Sequence, residues 1–151
     1  MFPSKYKDDS SKSPGLLFIR AYNNWHTQVR KALQPIGLTH PQFVVLAVIA
    51  YLQSRYEHVT QVMISTHSDI DVMTTSQILK ILEKKKFIQK KPHPNDTRAN
   101  IVELLEEGKR KVATALPIVE GIDDSFFGVL ESNHTEFMAC LEKLSIYNSK
   151  D

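Results

Sequence analysis

The sequence predicts a mainly α protein with one small β-hairpin. Apolar residues recur at spacings of three and four along most of the chain, the pattern of helices with one buried face. Only "FIQKK" and "RANIVEL", within residues 87–104, have strand character, and Pro92, Pro94, Asn95 and Asp96 form a turn between them. With 151 residues, 42% apolar and 24% charged, the chain matches one ordinary domain with a real core rather than a disordered segment.

Residues 1–15, "MFPSKYKDDSSKSPG", are polar, lack the apolar centre of a signal peptide, and are expected to form a flexible tail. Residues 16–151 are then a single domain. From Leu16 to Leu33 the positions Leu16, Leu17, Ile19, Tyr22, Trp25, Val29 and Leu33 share one helical face, and Pro35 and Gly37 end the helix. Thr39 is placed to cap a second helix with Pro41 in its first turn. That helix, reaching about Gln53, is apolar nearly all round and should be buried on most sides. After the connector "SRYEHV", Thr60 caps a short helix, Gln61 to His67, with Val62, Met63 and Ile64 inward. "SDID" breaks it. A further helix runs from about Met73 to Lys86, with Ile78, Leu79 and Leu82 inward and Met73, Ser76, Gln77, Lys80 and Lys84 on the opposite stripe.

In the hairpin, Val102 and Leu104 lie on one face and Ile101 on the other. A long helix should start near Glu106, with Pro117 bending or breaking it and Gly121 and Gly128 weakening its second half. A last helix runs from about Asn133 or Thr135 to Tyr147, with Phe137, Met138, Leu141, Leu144 and Ile146 apolar. The longest apolar run, Phe43 to Leu52, is about half of what a bilayer crossing needs, so no membrane segment is expected. One cysteine, Cys140, excludes an internal disulfide framework and makes a reducing cytoplasm the expected compartment.

Charge is unevenly placed. Residues 80–98 hold seven Lys or Arg against two acidic residues, whereas residues 99–151 hold five against ten. Such a basic block is either an electrostatic footprint for a polyanion or the solvated end of a lysine-rich helix. Two short helices in tight succession, the second with a polar and basic outer face, are the elements of a helix-turn-helix. The basic hairpin after them is placed as a wing.

The runs "LTHPQFVVLAVI" and "ILKILEKKKFIQKKPHPNDTRANIVELLEEGKRKV", with the terminal helices, resemble the MarR family of transcriptional regulators. The resemblance covers roughly residues 16–147, and its most specific part is Leu82 to Gly108, with its Asp-x-Arg and Glu-Gly-Lys elements. It implies a winged helix-turn-helix with N- and C-terminal dimerisation helices. The DNA-binding part would be about 39–105, and the dimerisation part about 16–36 and 106–148. It also implies a homodimer on pseudo-palindromic double-stranded DNA, most often a repressor. Three positions depart from the family pattern. Lys86 stands where glycine commonly ends the recognition helix, Leu105 where Thr or Ser commonly caps the long helix, and Ser68-Asp69 where Leu-Gly often forms the turn.

The recognition helix offers Thr74, Ser76 and Gln77 to base edges, and Lys80 and Lys84 to phosphates. In the wing, Arg98 matches the family's minor-groove arginine and Asp96 its aspartate, while Lys90 and Lys91 flank the groove. A carboxylate two residues away on an extended strand is expected to hold the guanidinium through charge-assisted bonds.

Many members of this family release DNA on binding a small aromatic or anionic effector. Tyr22, Trp25, His26 and Phe43 are candidates to line such a pocket, and equally suit a core or dimer interface. Cys140 is expected to be a buried structural residue. The histidines at 26, 40, 58, 67, 93 and 134 show no compact ligand spacing, so no metal site and no cofactor are predicted unless distant histidines converge. No nucleophile elbow, P-loop or dinucleotide fingerprint is present, and the chain is not expected to be an enzyme. The alternative function is a helical protein-interaction module whose basic hairpin binds a polyanion.

Overall fold

The structure is a computed structural model that describes residues 1–148. Its helices are α1 (Pro14–Leu33), α2 (His40–Gln53), α3 (Gln61–Ser68), α4 (Val72–Lys84), α5 (Glu106–Gly128) and α6 (His134–Ser145). Strands β1 (Ile88–Pro92) and β2 (Asn100–Leu104) pair antiparallel between α4 and α5, with Ile88 opposite Leu104 and Pro92 opposite Asn100. This is the mainly helical, winged helix-turn-helix fold expected.

Helix α2 is the centre of the core. Its Val45, Leu46 and Ile49 are fully buried, and around them pack Val29 and Leu33 of α1, Ile64 of α3, Leu79 and Leu82 of α4, and Val112 and Ala115 of α5. It starts where the sequence puts it. Thr39 accepts from the Gln42 amide and the Gln42 side chain accepts from the Thr39 amide, closing a capping box. Thr60 caps α3 by accepting from the Met63 amide.

The tight connection from α3 to α4 is built by polar side chains. Asp69 takes the left-handed conformation, φ 57°, that ends α3. The buried Ser65 and Thr75 hydroxyls both donate to the Ile70 carbonyl, at 2.6 and 3.3 Å. Asp71 then caps α4, accepting from the Thr74 amide at 2.8 Å.

Helix α4 ends in a Schellman arrangement. The Lys86 amide donates to the Glu83 carbonyl and the Phe87 amide to the Leu82 carbonyl, with Lys86 at φ 61°. Lysine thus adopts the conformation that favours glycine, and the buried Phe87 and Leu82 supply the accompanying apolar contact. Leu105 gives α5 no side-chain cap. Its amide instead donates to the Phe87 carbonyl, and Glu106 and Glu107 place negative charge in the first turn.

Several expectations need correction. Helix α1 begins at Pro14 rather than near Leu16, and a 3₁₀ turn, Ser10–Lys12, capped by Asp9, precedes it. Val62 points outward and is 64% exposed, because α3 buries Ile64 and Ser65 instead. The expected placing of Ile101 on the other face from Val102 and Leu104 needs no correction, and both Ile101 and Val102 are buried, with Thr60 bridging to Ile101 and the Val59 carbonyl accepting from the Val102 amide. Of the two outcomes expected at Pro117, a bend or a break, the break does not occur, and helix α5 continues through it. Pro117 and Ala113, whose carbonyl loses its donor, both face solvent, where water can serve the orphan acceptor. Cys140 is exposed rather than buried, because α6 contributes no buried residue at all. No single helix among the described residues is long and apolar enough to cross a membrane.

Candidate nucleic-acid interface

Gln77, Lys80 and Lys84 are exposed on the outer stripe of α4, and Ser76 is half-buried beside them. The packing of Ile78, Leu79 and Leu82 into the core fixes which face looks outward. Thr74 is exposed, but its hydroxyl donates to Asp71 Oδ2 at 2.7 Å. It therefore presents acceptor lone pairs outward rather than a proton. These hydrogen bonds from Thr74 hold the Asp71 carboxyl below its usual range. Lys85, part of the same basic run, turns the other way and donates to the Gly37 carbonyl and Gln42 Oε1.

The wing differs from expectation in one important respect. Arg98 lies in the turn, before the start of β2, and Asp96 does not hold its guanidinium. Asp96 Oδ1 accepts from the Arg98 backbone amide at 2.9 Å, and the Asp96 carbonyl accepts from the Ala99 amide at 3.2 Å. The aspartate folds the loop tip as an Asx-turn and leaves the guanidinium exposed, without an ion pair among the described residues. Lys91 is not unpartnered either. It pairs with Glu103 across the hairpin at 2.8 Å, and Gln89 donates to the same carboxylate at 2.9 Å. The Lys91 hydrogen bond, then that of Gln89, lowers the Glu103 pKa. Lys90 is half-buried opposite Val102.

Helix and wing meet in one concavity of about 530 Å³. Thr60, Gln61 and Val62 at the start of α3, Val72 at the start of α4, and Asp96, Arg98 and Asn100 of the wing line it. The predicted Arg98 and the head of α4 thus border one surface, with the amino termini of two helices opening onto it.

The predicted effector residues divide. Tyr22, Trp25 and His26 form a cluster in which Tyr22 stacks on His26 with centroids 5.2 Å apart. Phe43 is instead a core residue at 6% exposure, since its position on α2 faces the domain interior. Sequence reasoning missed His40 and Asp123. His40, the first residue of α2, lies 5.1 Å from His26 and 5.3 Å from Trp25, ring centre to ring centre. The Trp25 indole donates to Asp123 Oδ1 of α5 at 2.7 Å. Only the fold brings these positions together, and no local spacing signals it. Burial lowers the His40 pKa, the neighbouring His26 lowers it further, and Asp123 opposes both. A hollow of about 700 Å³ adjoins the pair, lined also by Arg30, Lys31 and Lys85. Among the described residues no group of three or more His, Cys, Asp or Glu side chains could hold a metal ion.

An α4 with its polar stripe outward, followed by a basic wing, defines a winged helix-turn-helix DNA-binding protein. Residues 38–99 match the sequence model of the MarR family. The chain is 39% identical over 132 residues to the uncharacterized HTH-type transcriptional regulator YdcH of Bacillus subtilis, covering 87% of this chain and 89% of that one. Among solved structures it resembles Bordetella bronchiseptica BpsR, whose DNA binding is regulated by 6-hydroxynicotinic acid. The TM-score is 0.81 at 26% identity, over 92% of this chain and 97% of BpsR. It also superposes on a mutant MarR from Escherichia coli, with serine in place of one cysteine, complexed with operator DNA. That TM-score is 0.78 at 19% identity, over 95% and 99% of the two chains, a likeness of fold. The chain belongs to the MarR family and is a transcriptional regulator, not an enzyme.

Proposed function

We propose that this regulator acts as a homodimeric repressor on pseudo-palindromic double-stranded DNA, with α4 in the major groove and the wing at the adjacent minor groove. Residues 16–151 work as one unit. The part at about 39–105 binds DNA, and the parts at about 16–36 and 106–148 hold two copies together. Ser76 and Gln77 face base edges, with Thr74 as an acceptor; Lys80, Lys84 and Lys90 face phosphates, and Arg98 the minor groove. Lys91 and Asp96 shape the wing. The observation that carries the reading is the common exposed surface of α4 and the wing turn, where Arg98 and the head of α4 border one concavity. The operator-bound MarR neighbour has the same fold.

A small aromatic or anionic effector fits the cluster of Tyr22, Trp25 and His26, beside a hollow rimmed by Arg30, Lys31 and Lys85. The regulation of BpsR by a small aromatic acid supports it. The test is a gel-shift titration of purified protein against fragments of its source genome at several salt concentrations. Retention of particular duplexes, with affinity falling steeply as salt rises, is the expected result. Binding without preference among duplexes overturns it, and binding only to a protein or a non-nucleic polyanion favours an interaction module instead.

A further inference from the structure

His26 and His40 are fourteen positions apart in sequence and sit at the junction of three helices. His26 belongs to α1 and His40 opens α2; between them and α5 lies the Trp25–Asp123 hydrogen bond. On the proposed division of the chain, α1 and α5 belong to the dimerising part and α2 to the DNA-binding part. We propose that this histidine pair is a proton-operated joint: protonation of His40 loosens the seating of α2 against α1 and redirects Asp123 away from Trp25.

Burial first, and then the charges around His40, set the direction. From α1 it faces His26 and the Trp25 indole, with Arg30 and Lys31 on the shared hollow. From the end of α4 comes Lys85, and from α2 itself the positive end of the helix dipole. Among the described residues the only acidic group acting on it is Asp123 of α5, already engaged by the Trp25 indole. A proton on His40 is therefore disfavoured by burial, repelled by His26 and attracted by Asp123. It is accommodated either by drawing the Asp123 carboxylate off the indole or by swinging the ring toward solvent. Both moves change the surroundings of Trp25.

The sign of the accompanying stability effect follows. His40 has a folded pKa below its ordinary value of 6.5, so the unfolded chain takes up the proton first. Its contribution to stability is whole above pH 6.5 and declines as pH falls from there through the lowered folded value.

Trp25 is the single tryptophan of the chain, so its emission reports the joint directly. The experiment follows the fluorescence of the full-length protein from pH 8 to pH 5. Wild type is expected to show one transition with its midpoint below 6.5, absent in His40→Gln. His26→Gln should move the midpoint up, because a repelling neighbour is gone, and Asp123→Asn should move it down. Far-UV circular dichroism checks that each variant is folded. A flat wild-type curve, or the same transition in His40→Gln, overturns the proposal. So do unmoved midpoints in both other variants.

Coupling of the joint to DNA rests on the function proposed above and has its own arm. With a labelled duplex retained in the gel shift, wild-type affinity should change about fivefold or more between pH 7.5 and 5.5. His40→Gln should show less than half of that change on a logarithmic scale. Equal pH dependence in both refutes the coupling while leaving the fluorescence result standing. Failure to retain any duplex refutes the DNA reading instead.

Discussion

At the scale of single residues, two positions show side chains acting through the backbone. Asp96 shapes the wing tip by accepting from the Arg98 amide, so what matters is an acceptor oxygen rather than a negative charge. Asparagine keeps that oxygen. Asp96→Asn should therefore bind duplex DNA at least as tightly as wild type, since it also removes a charge that phosphates repel. Asp96→Ala and Arg98→Ala should both weaken binding without unfolding the chain. Fluorescence anisotropy with a labelled duplex checks this, and a large loss in Asp96→Asn would restore the ion-pair reading. Gly108 is the second case. A Cβ there would lie 2.1 Å from the Phe87 carbonyl oxygen, which also accepts the Leu105 amide. The glycine of the Glu-Gly-Lys element thus lets α5 rest directly on the end of the recognition unit. Gly108→Ala should cost at least about 2–3 kcal/mol, as overpacking against rigid backbone does, measured as a lower urea midpoint.

At the scale of elements, the sequence made most of the architecture legible because its signals are local. Thr39 and Thr60 mark helix starts, the stripe of Ile78, Leu79 and Leu82 orients α4, and the proline-rich turn separates the strands. What stayed hidden depends on distant partners. Val62 looked inward by composition, Phe43 suited pocket and core alike, and Cys140 looked buried, but only packing decides which side of a helix is covered. The convergence of His40 with His26 and Asp123 has no sequence signature for the same reason. Of the candidate interface, the exposed stripe of α4 was readable, while the engagement of Thr74 by Asp71 and of Lys91 by Glu103 was not. That division gives α4 its prediction. Gln77, exposed and able both to donate and accept, should set sequence preference, whereas Lys84 further along should act on phosphate alone. Gln77→Ala is expected to change the ranking of duplexes. Lys84→Ala should weaken all of them alike and reduce the slope of log affinity against log salt by about one. Indistinguishable effects of the two substitutions across a panel of duplexes would refute the division.

At the scale of the whole molecule, the distribution of apolar surface decides how the chain is used. The DNA-binding part covers its own core, but the ends do not. On α1, Leu17, Phe18 and Ile19 are each more than half exposed, and Leu144 of α6 is 65% exposed. Phe18, Phe127, Phe137 and Leu141 surround an apolar hollow of about 210 Å³ between α1, α5 and α6. Surface of this kind on two neighbouring helices suits the proposed dimer, in which a second copy placed there would set two α4 helices for two half-sites. The acidic excess after residue 98 fits a role away from phosphate, while the basic block lies on α4 and the hairpin. Wild type should accordingly sediment as a dimer at micromolar concentration. Because Leu17 and Leu144 are exposed within one chain, replacing them with glutamate leaves the core of that chain untouched. Leu17→Glu/Leu144→Glu should then sediment as a monomer of near-native helix content and lose affinity for a two-half-site duplex far more than for a single half-site. The proposed dimer would tether its two α4 helices, making the second engagement intramolecular, and that advantage would vanish when the copies part. A wild type that sediments as a monomer, or a double variant that stays dimeric, would show that the exposed ends serve another purpose.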